Sequence, residues 1–178
     1  LLILGAGGFG RMIKETALAL GYEEVLFLDD TAKEDDVIGR CCDYHLYHRD
    51  YSVAVAAFGN NKMRLFWTQK LLEEGYEVPA IVHPSAIVSP SVRLEPGCFV
   101  MQRAVVNMNT TIKMAALINS GAVVDHDSIV EEGTHVGLGS VVKAHCVIES
   151  GRKVEAGEVI FSTRRTIEGA DSRSLEDA

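Results

Sequence analysis

The sequence predicts a two-part chain, a small α/β domain built on a glycine loop followed by an all-β parallel β-helix of hexapeptide repeats. Three observations carry this expectation. A Gly5-Ala6-Gly7-Gly8-Phe9-Gly10 run stands between an apolar strand and a helical stretch. From Ala86 onward the third residue of every six is aliphatic, thirteen times in succession. The composition, 47% apolar and 24% charged over 178 residues, is that of an ordinary globular protein.

The chain opens on LLIL, already inside an expected strand. After the glycines a helix is expected over Arg11 to Leu20. Strand, GxGxxG, helix is a phosphate-binding arrangement: bare glycines let the backbone approach a diphosphate, and the helix N-terminus supplies N–H groups and a positive dipole. A second strand, EVLFLDD, ends at Asp29 and Asp30, and Asp29 lies 19 residues past Gly10, which suits a carboxylate on a ribose hydroxyl. A third strand, SVAVAAFG, ends at Gly59 ahead of a helix from Lys62 to Glu74. The last strand, EVPAIV, leads through His83-Pro84 into the repeat. The expected boundaries are 1–82 for this Rossmann-like domain, 83–166 for the β-helix and 167–178 for a polar tail. A dinucleotide fold needs two mononucleotide halves. Only about one precedes the repeat, so a UDP-sugar fits better than NAD; a tight turn without a ligand is the alternative.

The hexads begin at AIVSPS and end at EVIFST. Their third residues run Val88, Leu94, Val100, Val106, Ile112, Ile118, Val124, Val130, Val136, Val142, Ile148, Val154 and Ile160. A period of six cannot hold one face of a helix at 3.6 residues per turn. It suits a two-residue strand and a sharp corner, with the aliphatic residue pointing inward. The first residue of most hexads is small, and glycine recurs at the sixth place, where a corner favours positive φ. Three hexads make one triangular coil. Phe99, Met101, Met108, Met114 and Leu117 are read as outward-facing, and an apolar patch of that size predicts a trimer with the β-helices side by side.

Residues 18 apart stack at the corners, giving two columns: Asn107, Asp125, Lys143 and Asn109, Asp127, His145. His126 stands between two carboxylates and points outward. A neighbouring carboxylate orients an imidazole and favours its protonated form, as a general base requires; a solvated corner histidine is the plainer alternative. His135 faces outward from its hexad, either in a cofactor groove or at the surface. His45 and His48 read as surface, and His83 as packed at the domain junction. No zinc spacing is present, so no metal is expected, a set of His126, Asp127 and His145 being the lesser alternative. Cys41, Cys42, Cys98 and Cys146 are read as reduced cytoplasmic thiols. The net charge of −8, without a basic run, argues against nucleic acid or an anionic membrane. No apolar run is long enough for a membrane span.

GAGGFGR, FLDD, FGNN, IVHPSAIVSPSV and INSGAVVDHDSIVEEGTHVGLGSVV occur in one order. Together they resemble the sugar-nucleotide acetyltransferases of the left-handed β-helix superfamily, of the UDP-4-amino-sugar N-acetyltransferase and sialic-acid O-acetyltransferase type. The likeness covers roughly residues 1 to 145. It implies a left-handed coil, acetyl-CoA as co-substrate, a UDP-linked amino sugar as acceptor and a cytoplasmic homotrimer with the cofactor between adjacent β-helices. It implies His126 as catalytic base, with Asp127 raising its basicity where Glu is more usual. His135 and Ala144 fall at the acetyl-CoA site. Gly7, Gly8, Phe9, Asp29, Asp30 and Gly59 fall around the nucleotide, and Asn119 close to the active site. Phe9 replaces a common histidine. The family's later coils are replaced by FSTRRTIEGADSRSLEDA, in which Arg164 and Arg165 are the candidates to meet CoA phosphates. A hydroxyl acceptor, or a nucleotide-sugar-binding protein without catalysis, are the competing functions.

Overall fold

The structure, a computed structural model, describes residues 1–161. Arg164, Arg165 and the expected tail at 167–178 lie outside them. The N-terminal region holds β1 (Leu2–Leu4), α1 (Gly8–Ala19), β2 (Leu26–Leu28), β3 (Val37–Gly39), a 3₁₀ turn at Cys41–Asp43, α2 (Tyr44–Tyr47), β4 (Ala54–Ala56) and α3 (Asn61–Glu74). Its sheet is parallel, in the order β3-β2-β1-β4. The order reverses between β1 and β4, so the loops after these two strands face a common crevice. β3 and α2 had no signal in the sequence, because neither holds a fully buried residue and so neither stands out as an apolar run, unlike β1 and β4.

Two of the loop glycines answer to the protein's own packing. Gly5 turns at φ +99, and a Cβ on Gly10 would lie 1.9 Å from the Gly5 carbonyl oxygen, so α1 packs directly on the end of β1. At Gly7 and Gly8, by contrast, a Cβ would meet nothing within 4 Å.

The coil follows, one two-residue strand per hexad, and its three faces are parallel sheets. The first face carries β5 (Ile81–Val82), β8 (Phe99–Val100), β11 (Leu117–Ile118), β14 (His135–Val136) and β17 (Lys153–Val154). The second carries β6 (Ile87–Val88), β9 (Val105–Val106), β12 (Val123–Val124), β15 (Val141–Val142) and β18 (Val159–Ile160). The third carries β7 (Arg93–Leu94), β10 (Thr111–Ile112), β13 (Ile129–Val130) and β16 (Val147–Ile148). Neighbouring rungs pair at the 18-residue offset, as in Leu117↔His135. The expected strand EVPAIV divides between the two parts: Glu77 bridges to Val53 beside the N-terminal sheet, while Ile81–Val82 is already the first rung of the coil. The interior is the predicted column of third-place aliphatics with small first-place residues such as Cys98, Ala104, Ala116, Ala122 and Cys146. All eleven sixth-place residues from Gly97 to Gly157 have positive φ, including Arg103, Asn109, Ala115, Asp127 and His145, which have a Cβ.

One expectation is corrected. Phe99, Met101 and Leu117 do not face outward to solvent: they are buried in a cluster with Ile3, Ile13, Phe27 and Val55. The first face of the coil is covered by the chain's own N-terminal region, which a repeat pattern cannot reveal. Met108 remains exposed.

Candidate active site

His126 and Asp127 close the corner between β12 and β13. The His126 Nδ1 lies 2.7 Å from Asp127 Oδ2, and the His126 side chain is 41% exposed. Asn109 Nδ2 donates to Asp127 Oδ1 at 3.1 Å from one coil below. Asp125 accepts from the His126 N–H and from Asn107 Nδ2, each at 2.9 Å. The His126 donation, then Asn109's, hold the Asp127 carboxyl below the usual carboxylate range. The lower two members of each predicted column are therefore joined by a side-chain hydrogen bond. His145, one coil above Asp127, sets its ring edge-to-face with His126 at 5.2 Å. His126, Asp127 and His145 each bring one ligand atom within 4.8 Å of the others. They are the described residues that could hold a metal, but both Asp127 oxygens are already engaged by His126 and Asn109. Ala144 is stacked one coil above His126.

A second group of residues lies on the first face. A cavity of about 530 Å³ is lined by Gly59, Asn60, Asn61, Lys62, His135, Gly151 and Lys153. A smaller one, about 180 Å³, is lined by Asn119, His135, Gly137, Leu138 and Lys153 to Ala156. His135 thus stands between the two, with Asn119 Nδ2 3.0 Å from its Nε2. Burial first, then Arg64 and Lys153, push the His135 imidazole down to about 4.

The nucleotide-loop residues are arranged around β1 and β2. Asp29 faces inward rather than outward: its Oδ2 accepts from the Ala6 N–H, and its Oδ1 from the N–H groups of Thr31 and Ala32 and from the Thr31 hydroxyl, at 2.8–3.0 Å. Burial opposes its charge, but these donors outweigh burial and hold the carboxyl at about 2. Asp29 therefore braces the glycine loop. Asp30 accepts from the Cys41 N–H and pairs with Arg40 beside a cavity of about 390 Å³. Phe9 packs edge-to-face on Phe99 at 5.2 Å, across the junction of the two parts. His83 is held locally by Ser85, and His48 stacks on Tyr76.

Sequence reasoning missed Arg64. It is wholly buried and pairs with no carboxylate among the described residues. Its Nε donates to the Ala115 carbonyl, Nη1 to Phe58, and Nη2 to Asn61 Oδ1 and the Gly133 and Thr134 carbonyls. It ties the loop after β4 to two coil corners. An arginine in a helix otherwise rich in polar residues gives no sign of this role. Nor does one chain bring all the sites together. Gly59, His135 and Asn119 gather on the first face, whereas His126, Asp127 and Ala144 lie on the far edge of the second.

Residues 1–71 match the family described as the PglD N-terminal domain. Over 90% of this chain and 90% of the other, the fold is similar to the acetyltransferase domain of PglB from Neisseria gonorrhoeae in complex with acetyl coenzyme A, at 31% identity and a TM-score of 0.79. PerB from Caulobacter crescentus, in complex with CoA and GDP-perosamine, matches over 90% of this chain and 88% of its own, at 30% identity and a TM-score of 0.79. A variant of that perosamine N-acetyltransferase with a histidine replaced by asparagine matches at 29% identity and a TM-score of 0.75 over the same shares.

Proposed function

We propose a reaction for a chain that belongs to the sugar-nucleotide acetyltransferases of the left-handed β-helix family: transfer of an acetyl group from acetyl-CoA to the amino group of a UDP-linked amino sugar. The observation that carries this reading is the His126–Asp127 pair at 2.7 Å on an exposed corner. Asp127 is ionised and accepts the Nδ1 proton, so the Nε2 lone pair is left to take a proton from the acceptor. The neutral amine attacks the thioester carbon. As the C–N bond forms, its proton passes to His126 Nε2. The tetrahedral oxyanion then collapses, the C–S bond breaks, and the thiolate leaves with the proton that His126 returns. The N–H of Ala144, stacked over His126, makes no hydrogen bond to the described residues and is the donor assigned to the oxyanion.

Bare Gly7 and Gly8 at the start of α1, with Gly59 opposite, support a diphosphate in the crevice between β1 and β4. Because that crevice and His126 lie at different edges of one chain, the reading includes a homotrimer. Its support is the second face, whose outward residues Ile87, Val105, Val123, Val141 and Val159 form an aliphatic stripe paired along the coil. No helix among the described residues is long and apolar enough to cross a membrane. Cys41, Cys42 and Cys98 are free thiols, in keeping with a cytoplasmic enzyme.

The test is a thiol-release assay with acetyl-CoA and amino sugars carried on UDP and on GDP. His126→Ala should lower kcat by roughly 10²–10⁴ with little change in substrate binding. A variant that kept near-parental kcat would remove His126 from the chemistry.

A further inference from the structure

We propose that Asn119 is a positioning residue that fixes the tautomer of His135, leaving Nε2 as an acceptor and Nδ1–H as a donor for a carbonyl oxygen of the acyl donor. Asn119 follows β11, at the corner where the chain turns from the first face to the second. Its Oδ1 is 2.8 Å from the Ser120 N–H. A backbone N–H can only donate, so the atom facing it must be the amide oxygen. The other atom is then the NH₂, which can only donate, and it lies 3.0 Å from His135 Nε2. Nε2 must therefore carry a lone pair, and a neutral ring with a bare Nε2 carries its proton on Nδ1. The corner is itself anchored, because Ser120 Oγ donates to Gln102 Oε1, one coil below, at 2.8 Å.

The charged groups around the ring favour the same state. Arg64 approaches from α3 and Lys153 from β17, Lys62 shares the larger cavity, and Glu155 alone pulls the other way. Burial first, then Arg64 and Lys153, hold the imidazole at about 4. At neutral pH the ring is uncharged, and its only basic nitrogen is occupied. His135 is thus a poor proton acceptor, and Nδ1–H makes no hydrogen bond to the described residues. The smaller cavity beside it is walled by Gly137, Leu138, Val154 and Ala156, with one cation, Lys153, and one anion, Glu155, at its edge. An uncharged donor suits an uncharged acceptor, which among the parts of acetyl-CoA means an amide or thioester carbonyl rather than a phosphate. The choice of ligand rests on the acetyltransferase reading; the tautomer does not.

The experiment is ¹⁵N-histidine NMR on the intact protein, with and without CoA, alongside acetyl-transfer kinetics. In the parent, His135 should show a protonated Nδ1, no titration between pH 8 and 5, and a shifted resonance when CoA is added. Asn119→Asp places an acceptor against Nε2. It should move the proton to Nε2, raise the titration midpoint and raise KM for acetyl-CoA by about 2- to 10-fold, the worth of one neutral hydrogen bond. KM for the sugar nucleotide should stay put. A parent ring protonated at Nε2, or titrating near 6.5, overturns the proposal even if acetyl transfer proceeds normally. A parent ring as described, in a protein that transfers no acetyl group, supports the tautomer and counts against the reaction instead. A ring unmoved by CoA overturns the donor role.

Discussion

Replacing Arg64 with methionine should destabilise the protein by about 3 kcal/mol, the balance of two opposed effects. The guanidinium serves four backbone carbonyls, those of Ala115, Phe58, Gly133 and Thr134, in a wholly buried position. Hydrogen bonds from a charged donor contribute about 1.5 kcal/mol each at the low end, so their loss costs roughly 6 kcal/mol. Against this, burial has pushed the guanidinium down from 12.5 to about 10. At 1.36 kcal/mol per unit that is a penalty of about 3 kcal/mol, which methionine escapes. Methionine also retains much of the packing volume. For a chain of this size the remaining loss corresponds to a Tm lower by roughly 6–12 °C in differential scanning calorimetry. Arg64→Lys keeps the charge but not the planar fork, and so should fare no better than methionine. If Arg64→Met melted within a degree of the parent, the carbonyl cluster would not hold the N-terminal region to the coil, and the buried cation would be energetically idle.

The remaining predictions concern the loop, acid stability and assembly. Gly8→Val should leave folding intact, since its Cβ enters open space, yet weaken binding of the sugar nucleotide in calorimetry; Gly10→Ala should instead fail to fold, because its Cβ meets the Gly5 carbonyl oxygen at 1.9 Å. Equal nucleotide affinity in a folded Gly8→Val protein would take the diphosphate out of that loop. Asp29 and Asp36, the latter held chiefly by Arg11 and then Lys14, both lie at about 2 rather than 3.8. Their folded-state values are depressed, so their stabilisation is complete above pH 4 and is lost as pH falls toward 2. Fluorescence of Trp67 should report earlier acid unfolding in Asp36→Asn, and a midpoint unchanged from the parent would refute the linkage. Light scattering should give about three times 19.4 kDa, and Val123→Glu, in the aliphatic stripe, should give the monomer mass; a parent that ran as a monomer would end the trimer reading.

The coil could be read residue by residue because its interior admits little variation. A narrow prism demands a small residue, then an aliphatic one, then a tight corner, and that demand repeats every six residues. The same periodicity predicted which side chains would meet: Asn107 over Asp125 and Asn109 over Asp127 follow from the 18-residue coil alone. The pairing of His126 with Asp127 followed from adjacency and an outward corner. The glycine loop was equally legible, since strand, glycines and helix are contiguous in the chain.

What was hidden was everything that depends on one part of the molecule touching another. Phe99 and Leu117 at second places and Met101 at a fourth place stand where residues elsewhere in the coil face solvent, and only the docking of the N-terminal region buries them. Asp29 has the spacing of a ribose ligand, but the turn after β2 folds its carboxylate back onto the Ala6 N–H. Arg64 is anonymous in its helix until three coil carbonyls converge on it. The tautomer of His135 depends on which way the Asn119 amide faces, and Ser120 decides that. By itself, then, the sequence determined the coil, the glycine turn and the His126 corner, because each is a local pattern with one low-energy conformation. The tertiary structure alone decided which outward side chains are covered, which carboxylate is spent internally and which imidazole is neutral. These depend on desolvation and hydrogen bonding between segments far apart in the chain, and no local pattern records them.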